Sequence, residues 1–293
     1  MKEYVSNRQM TLIIFVSLSG YSIATLPKIM AENAGTGSWL TIILTVPLAT
    51  IAAYILGWLG YTYKNMTLFE YSNLIVGKVL TSIFTVIYFI YFLAILTMMN
   101  RLSCEIIRGN VLRKTPIWAV SLIMLALVYY AASSRLSNIG KLFELYGILI
   151  IFAFIIIHTI MFTEGDLINL QPLIDFSQIK IYFKSIKYSI MPFLGIELLA
   201  TIPFSKENNK KVFWYIALAV VSAGLLYIYV IESCFSIIEL DEIVYYWDAL
   251  FVAIRRLDVP YLQFLRRLDG IYMIAWNMAI LCSITMLSYS TTI

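Results

Sequence analysis

The sequence predicts an all-α integral membrane protein, a helical bundle of about eight spans at roughly 20 apolar residues each, two of them broken in mid-membrane. Three observations lead there. Hydrophobic residues make up 61% of the 293 and charged residues 13%, against roughly 45–50% and 25% in soluble domains. A soluble core of this length could not hide that much apolar surface. The apolar residues fall in long runs divided by short polar clusters. Two of the runs carry helix breakers near their centres. One reads Ser19-Gly20-Tyr21-Ser22-Ile23-Ala24-Thr25-Leu26-Pro27, and the other reads Met191-Pro192-Phe193-Leu194-Gly195-Ile196-Glu197 and ends at Pro203.

In chain order the expected spans are residues 10–32, 38–60, 79–100, 116–134, 141–163, 186–204, 211–231 and 268–290, all in one transmembrane domain covering 1–293. Turn chemistry separates them. Asn33-Ala34-Gly35-Thr36-Gly37-Ser38 closes the first span, Arg113-Lys114-Thr115-Pro116 opens the fourth, and Ser205-Lys206-Glu207-Asn208-Asn209-Lys210-Lys211 parts the sixth from the seventh. The longer connections at 164–185 and 232–267 mix acids, bases and aromatics with apolar residues, the composition of segments that lie along the membrane surface. Met1 to Gln9 is polar and the run after it lacks a small-residue cleavage site, so no cleavable signal peptide is expected. With a cytoplasmic N terminus, more lysines and arginines fall outside than inside. Much of the excess sits in the long connections or at helix ends such as Arg101, where the positive-inside rule is weak, so charge leaves the orientation open.

A broken span is costly in lipid unless its freed backbone groups are satisfied or line a cavity. Unwinding at Gly20, Tyr21, Ser22, Ile23 and Ala24 would turn N–H groups of the following half-helix inward, where the positive end of its dipole favours a carboxylate. Unwound carbonyls from Phe193 to Gly195 would take an ammonium group. Together they describe a midplane site for a zwitterionic amino acid. The bland alternative is packing, because Gly and Pro are common in membrane helices. Glu197 is the sharpest single residue: a carboxylate near a span centre costs on the order of 3 kcal/mol on insertion scales, so it must face a cavity, a partner or a cation. It either contacts the ligand ammonium, serves proton coupling, or is a structural carboxylate. His158 is a second proton-coupling candidate, with a packing histidine as the alternative. Tyr88, Tyr91 and Phe92 form an aromatic stripe that is either core or pocket lining, and Tyr91 is placed with the ligand site. Asp269, Trp276 and Asn277 share one helix face, where Asp269 with Arg267 could form a gate. Boundary arginines that snorkel explain Arg266 and Arg267 equally well.

Other classes are excluded by composition and motif. Cys104, Cys234 and Cys282 have no CxxC spacing and His158 is the sole histidine, so no metal site or cofactor is expected. No Gly-rich phosphate loop or nucleophile elbow occurs, and the chain is not expected to be an enzyme. A net charge of +4 on a membrane protein calls for no nucleic acid.

Five spans precede the second broken one, as in transporters built from five-helix inverted repeats with discontinuous helices at a midplane site. The chain resembles the B subunits of spore germination receptors, the GerAB/GerKB family, within the amino acid–polyamine–organocation superfamily and its LeuT-like inverted-repeat fold. The resemblance rests on Ser6-Asn7-Arg8-Gln9, Gly20 with Ile23 and Leu26-Pro27, Gly35 with Trp39, and Thr67-Leu68-Phe69-Glu70-Tyr71. It continues through Phe193-Leu194-Gly195-Ile196-Glu197 and Arg267-Leu268-Asp269 with Trp276. It implies ten helices with the first and sixth broken, residues 1–163 forming the first repeat and 164–293 a second repeat lacking its last two helices. It further implies a nutrient-sensing subunit in the spore inner membrane, partnered by an A subunit and a lipoprotein C subunit, binding an amino acid or similar small molecule. A proton- or sodium-coupled amino acid transporter is the alternative on the same fold, and an assembly-only subunit is a third.

Overall fold

Local sequence signals place the helix starts. The computed structural model describes residues 4–205, 209–257 and 268–292. Helix α1 (Asn7–Tyr21) opens on a reciprocal cap: the Gln9 N–H donates to Ser6 Oγ at 3.2 Å and the Ser6 N–H to Gln9 Oε1 at 3.0 Å, the Ser-x-x-Gln capping box. After a break at 22–25, α2 (Leu26–Ala34) begins with Pro27 in its first turn, where its missing N–H is no loss. A 3₁₀ turn at Gly35–Gly37 leads into α3 (Ser38–Thr62). The amphipathic α4 (Leu68–Ile75) is capped by Glu70, whose Oε2 accepts the Thr67 N–H at 2.8 Å. Then come α5 (Lys78–Asn110), α6 (Ile117–Ala132) and α7 (Leu136–Glu164).

The sixth span is interrupted where expected, and the interruption runs further: α8 (Ile179–Ser189) ends before it, and the chain continues through 3₁₀ turns at Met191–Phe193 and Ile196–Thr201 without resuming an α-helix. Pro192 lacks an N–H and Gly195 adopts φ +121°, and together they stop an α-helix. Helices α9 (Val212–Ile237), α10 (Leu240–Ile243), α11 (Ala249–Arg255) and α12 (Leu268–Thr291) follow. Five helical stretches among the described residues are long and apolar enough to cross a membrane: 26–62, α5, α7, α9 and α12. α1 has 15 residues and α6 has 16. The molecule is an integral membrane protein. α5 runs ten residues past the expected end at 100, held by the Arg101–Glu105 ion pair at 2.6 Å. A helix need not stop where its apolar run does.

α1 and α12 form the centre, each packed against α5, α7 or α9, while α3 lies along α9. Small residues permit that approach: Ala49, Ala53, Gly57 and Gly60 of α3 are buried, a Cβ on Gly57 would meet Ile216 Cδ1 at 2.6 Å, and one on Gly224 would overlap Val46. In lipid, close backbone packing of this kind replaces the hydrophobic drive between helices. The 164–185 connection lies over the end of this pair as a surface strap, with Thr36 Oγ1 donating to the Pro172 carbonyl at 2.6 Å and Trp39 Nε1 to the Leu173 carbonyl at 3.0 Å. In the other long connection, Arg256 and the Tyr246 hydroxyl both donate to Glu242, and these bonds hold the Glu242 carboxyl down at about 2.

Gly224→Ala should destabilise the protein by about 1–3 kcal/mol through overpacking. Gly109→Ala, with open space around the position, should be neutral or raise stability by about 0.5–1 kcal/mol. Thermal unfolding in detergent checks the pair, and equal shifts would contradict the packing described.

Candidate functional site

The two interruptions meet at the middle of the bundle. The first is shorter than the sequence suggests. Gly20 and Tyr21 remain helical and the chain leaves the helix only at 22–25. Gly20 is small for packing: a Cβ there would sit 2.8 Å from Ser283 Oγ and 3.1 Å from the Ala279 carbonyl of α12. Ile23 and Ala24 are fully buried in the core. The N–H groups of Thr25 and Leu26 both return to the Ser22 carbonyl at 3.1 and 3.0 Å, and Pro27 has none. The turn therefore uses internally several of the donors that the sequence reading assigned to a carboxylate. The Ser22 hydroxyl is buried without a hydrogen-bond partner among the described residues.

At the second interruption the backbone is closed by a side chain. Gly195 donates its N–H to Glu197 Oε2 at 2.7 Å, and Tyr91 of α5 donates its hydroxyl to Glu197 Oε1 at 2.7 Å. With the Gly195 N–H directed to Glu197, the Pro192 carbonyl must find another donor. It finds Tyr227 of α9, whose hydroxyl lies 2.7 Å from the Pro192 carbonyl and 2.9 Å from the Leu18 carbonyl at the end of α1. One buried phenol thus serves a carbonyl from each broken span. Phe193 packs edge-on against the Tyr227 ring at 5.1 Å. The Gly195 carbonyl already accepts the Leu198 N–H at 3.2 Å.

Between the breaks lies a cavity of about 10 Å³ lined by Ser17, Tyr21, Gly195, Glu197 and Ser283 among others, room for about one water molecule. The Ser17 hydroxyl there has no hydrogen-bond partner among the described residues. Glu197, Tyr91, Tyr21 and Gly195 are brought together. His158 is not among that cavity's lining: it is fully buried, with Nδ1 2.8 Å from Ser233 Oγ and Nε2 3.2 Å from the Tyr272 hydroxyl, and it ties α7 to α9 and α12. Asp269 stands in the first turn of α12, while Arg267, its proposed gate partner, lies outside the described residues. Asn277 accepts the Ser103 hydroxyl at 2.5 Å. Among the described residues no cluster of His, Cys, Asp and Glu could hold a metal ion.

Four residues are not evident from sequence alone. Tyr227 looks like one more aromatic in an apolar run. Ser17 and Ser283 look like ordinary helix-packing serines. Glu232 falls one residue beyond the expected end of its span, yet it is 9% exposed, one of its oxygens is unpartnered among the described residues, and its carboxylate takes a backbone hydrogen bond at Trp39. An acid inside an otherwise apolar helix is the signal that could have found it.

A polytopic helical membrane protein with two interrupted segments converging on a carboxylate is the class that fold and site define. The family model described as spore germination protein matches residues 4–293, and the chain belongs to that family. Among its relatives in Bacillus subtilis (strain 168), spore germination protein YndE is 24% identical over 295 residues, covering 99% of this chain and 79% of the relative. Spore germination protein A2 is 24% identical over 268 residues, with coverages of 90% and 72%. Spore germination protein B2 is 24% identical over 275 residues, with coverages of 92% and 73%.

Tyr227→Phe keeps the ring and removes the donor shared by both breaks. It should destabilise the protein by about 1–3 kcal/mol, the cost of a buried acceptor left unpaired. Ser222→Ala, which removes a hydroxyl that donates to the Ala219 carbonyl within α9, should shift the unfolding temperature far less. Similar shifts in the two variants would show that the carbonyls find other donors.

Proposed function

We propose that this chain is the nutrient-sensing subunit of a spore germination receptor, binding an amino acid or similar small molecule between the two interruptions. The observation that supports this best is the Glu197 carboxylate, held by Gly195 and Tyr91 at the wall of the central cavity. It offers a fixed carboxyl acceptor for an ammonium group, with Tyr21 beside it. The unpartnered hydroxyls of Ser17 and Ser22 are polar groups available to a ligand's opposite end. At about 10 Å³ the cavity is too small for a nutrient, so a nutrient must bind a more open conformer. Signalling then follows from differential affinity, since a ligand that binds both conformers equally shifts neither. In this reading the broken segments form the two-state element of a five-plus-five inverted repeat, and A and C subunits of the receptor read its position in the spore inner membrane.

Proton- or sodium-coupled transport is the second reading. It is favoured by the same carboxylate, which could carry a coupling cation if the swing were completed to the opposite side. Sealed vesicles with a labelled amino-acid panel, with and without a proton gradient, separate the two. Saturable binding without accumulation supports the sensor, and gradient-dependent accumulation supports the transporter. In either case Glu197→Gln should weaken binding roughly tenfold to a hundredfold, the worth of one charge-assisted hydrogen bond. Gly195→Ala should weaken it too, because φ +121° is hostile to a side chain. Unchanged affinity in both variants would overturn the central site.

A further inference from the structure

Helix α5 carries a polar stripe that the central site does not use. Thr81, Thr85, Tyr88 and Phe92 lie at i, i+4, i+7 and i+11 and share one face. The opposite face holds Ile83, Ile87 and Ile90, which are 52%, 55% and 60% exposed, as expected of a helix that meets hydrocarbon. Along the polar face, α4 and α5 enclose a groove of about 660 Å³ lined by Thr67, Phe69, Glu70, Asn73, Lys78, Thr81, Ser82, Thr85 and Val86. The Ser82 and Thr85 hydroxyls can be borne in lipid, but the Glu70 carboxyl, the Asn73 amide and the Lys78 ammonium are costly there. Thr81 is 4% exposed and its buried hydroxyl has no hydrogen-bond partner among the described residues, an unsatisfied polar group beneath the groove wall.

The groove is continuous with the central carboxylate through touching side chains. Phe69, in the groove wall, packs edge-on against Tyr88 with ring centroids 5.8 Å apart. Tyr88 packs edge-on against Tyr91 at 6.4 Å, and the Tyr91 hydroxyl rests on Glu197 at 2.7 Å. From Thr81 to Tyr91 the rise is about 15 Å along the helix, half the hydrocarbon thickness. The 3₁₀ turn that carries Glu197 also packs on α4, so one short helix borders both the groove and the base of the site.

We infer that the α4–α5 groove is an aqueous vestibule through which small cationic or ammonium-bearing solutes reach Glu197 from the membrane face on which α4 lies. Carboxylates stand at both ends, Glu70 at the mouth and Glu197 at the head, with hydroxyl oxygens between them. Lys78, at the start of α5, carries its charge on a flexible stem that extends readily into solvent. The two tyrosines separate groove from cavity and form the barrier that a solute must move. This inference rests on Glu197 being the head of the ligand site, but its test does not require a ligand.

The test is cysteine accessibility in membranes. The native Cys104, Cys234 and Cys282 are all buried, so background labelling is low. Single cysteines at Ser82, Thr85 and Tyr88, and at Ile83, Ile87 and Ile90 as controls, are exposed to a membrane-impermeant, positively charged methanethiosulfonate. The reactive species is the thiolate, and each unit by which an apolar environment raises a thiol's pKa lowers its population about tenfold. Ser82→Cys, Thr85→Cys and Tyr88→Cys should therefore react at least about tenfold faster than the three isoleucine-face cysteines, and from one side of the membrane. Groove cysteines as slow as the isoleucine controls would overturn the vestibule. Fast labelling at Ser82→Cys and Thr85→Cys with none at Tyr88→Cys would overturn the connection to Glu197. Ser82→Cys and Thr85→Cys are near-isosteric, so folding does not decide the outcome. Failure here would leave nutrient affinity at Glu197 unchanged, whereas failure of the central site would appear as normal binding by Glu197→Gln.

Discussion

Every backbone donor and acceptor inside the membrane must be satisfied by the protein, and this rule governs the whole arrangement at the centre of the molecule. Two spans stop being α-helical in the same layer, and the groups they free are served by two side chains. Glu197 reaches back to the Gly195 N–H, which deprives the Pro192 carbonyl of a backbone partner; Tyr227 then takes up that carbonyl together with the one at Leu18. The two breaks are therefore coupled. A movement that pulls Leu18 from Pro192 has to choose which carbonyl keeps the phenol, and a movement of Glu197 releases the Gly195 N–H.

That coupling gives the closed cavity its meaning. A void of about 10 Å³ beside a carboxylate and unpartnered serine hydroxyls is neither a finished binding pocket nor an apolar seam. Apolar packing would have removed the hydroxyls, and a permanently open pocket would leave Glu197 free of Tyr91. In the function proposed above, these polar groups meet the ligand when the surrounding segments separate. Further from the centre, His158 with Ser233 and Tyr272, and Thr201 with Ser290 at 2.9 Å, tie α7, α9 and α12 and the second interruption into a frame against which such a movement can occur.

Much of this was legible in the residues. Composition gave the class, helix breakers gave both interruptions, and the capping pattern Ser6-Asn7-Arg8-Gln9 marked the first helix start. The failures have physical causes. Gly20 was assigned to unwinding because glycine breaks helices in isolation, yet here it admits α12, a tertiary demand that a single chain segment does not display. Pro192 and Gly195 mark the second break but do not reveal that the chain stays in 3₁₀ turns as far as Thr201, because apolarity reports burial and not backbone torsion. Tyr227 was invisible because the feature that distinguishes it from neighbouring Tyr229 is the pair of carbonyls it faces, and these come from residues far away in sequence.

The same logic explains why α5 differs from the other long helices. α12 is buried along most of its length and can carry Ser283, Thr285 and Ser290 against protein, whereas α5 exposes most of its surface. Hydroxyls on an exposed membrane helix can return to the carbonyl one turn back, and Ser82 and Thr85 do so at 2.9 Å each, which removes their cost in lipid. Thr81 does not make that bond: four residues back is Gly77, the non-helical N-cap of α5, whose carbonyl accepts the Thr81 N–H at 3.1 Å. Thr81 lines the groove with Glu70 and Asn73 of α4. Thr81 and Thr85 share a face with Tyr88, Tyr88 packs on Tyr91, and the Tyr91 hydroxyl donates to Glu197. The inner side of α5 is therefore set by protein contacts, while Ile83, Ile87 and Ile90 on the other side are exposed.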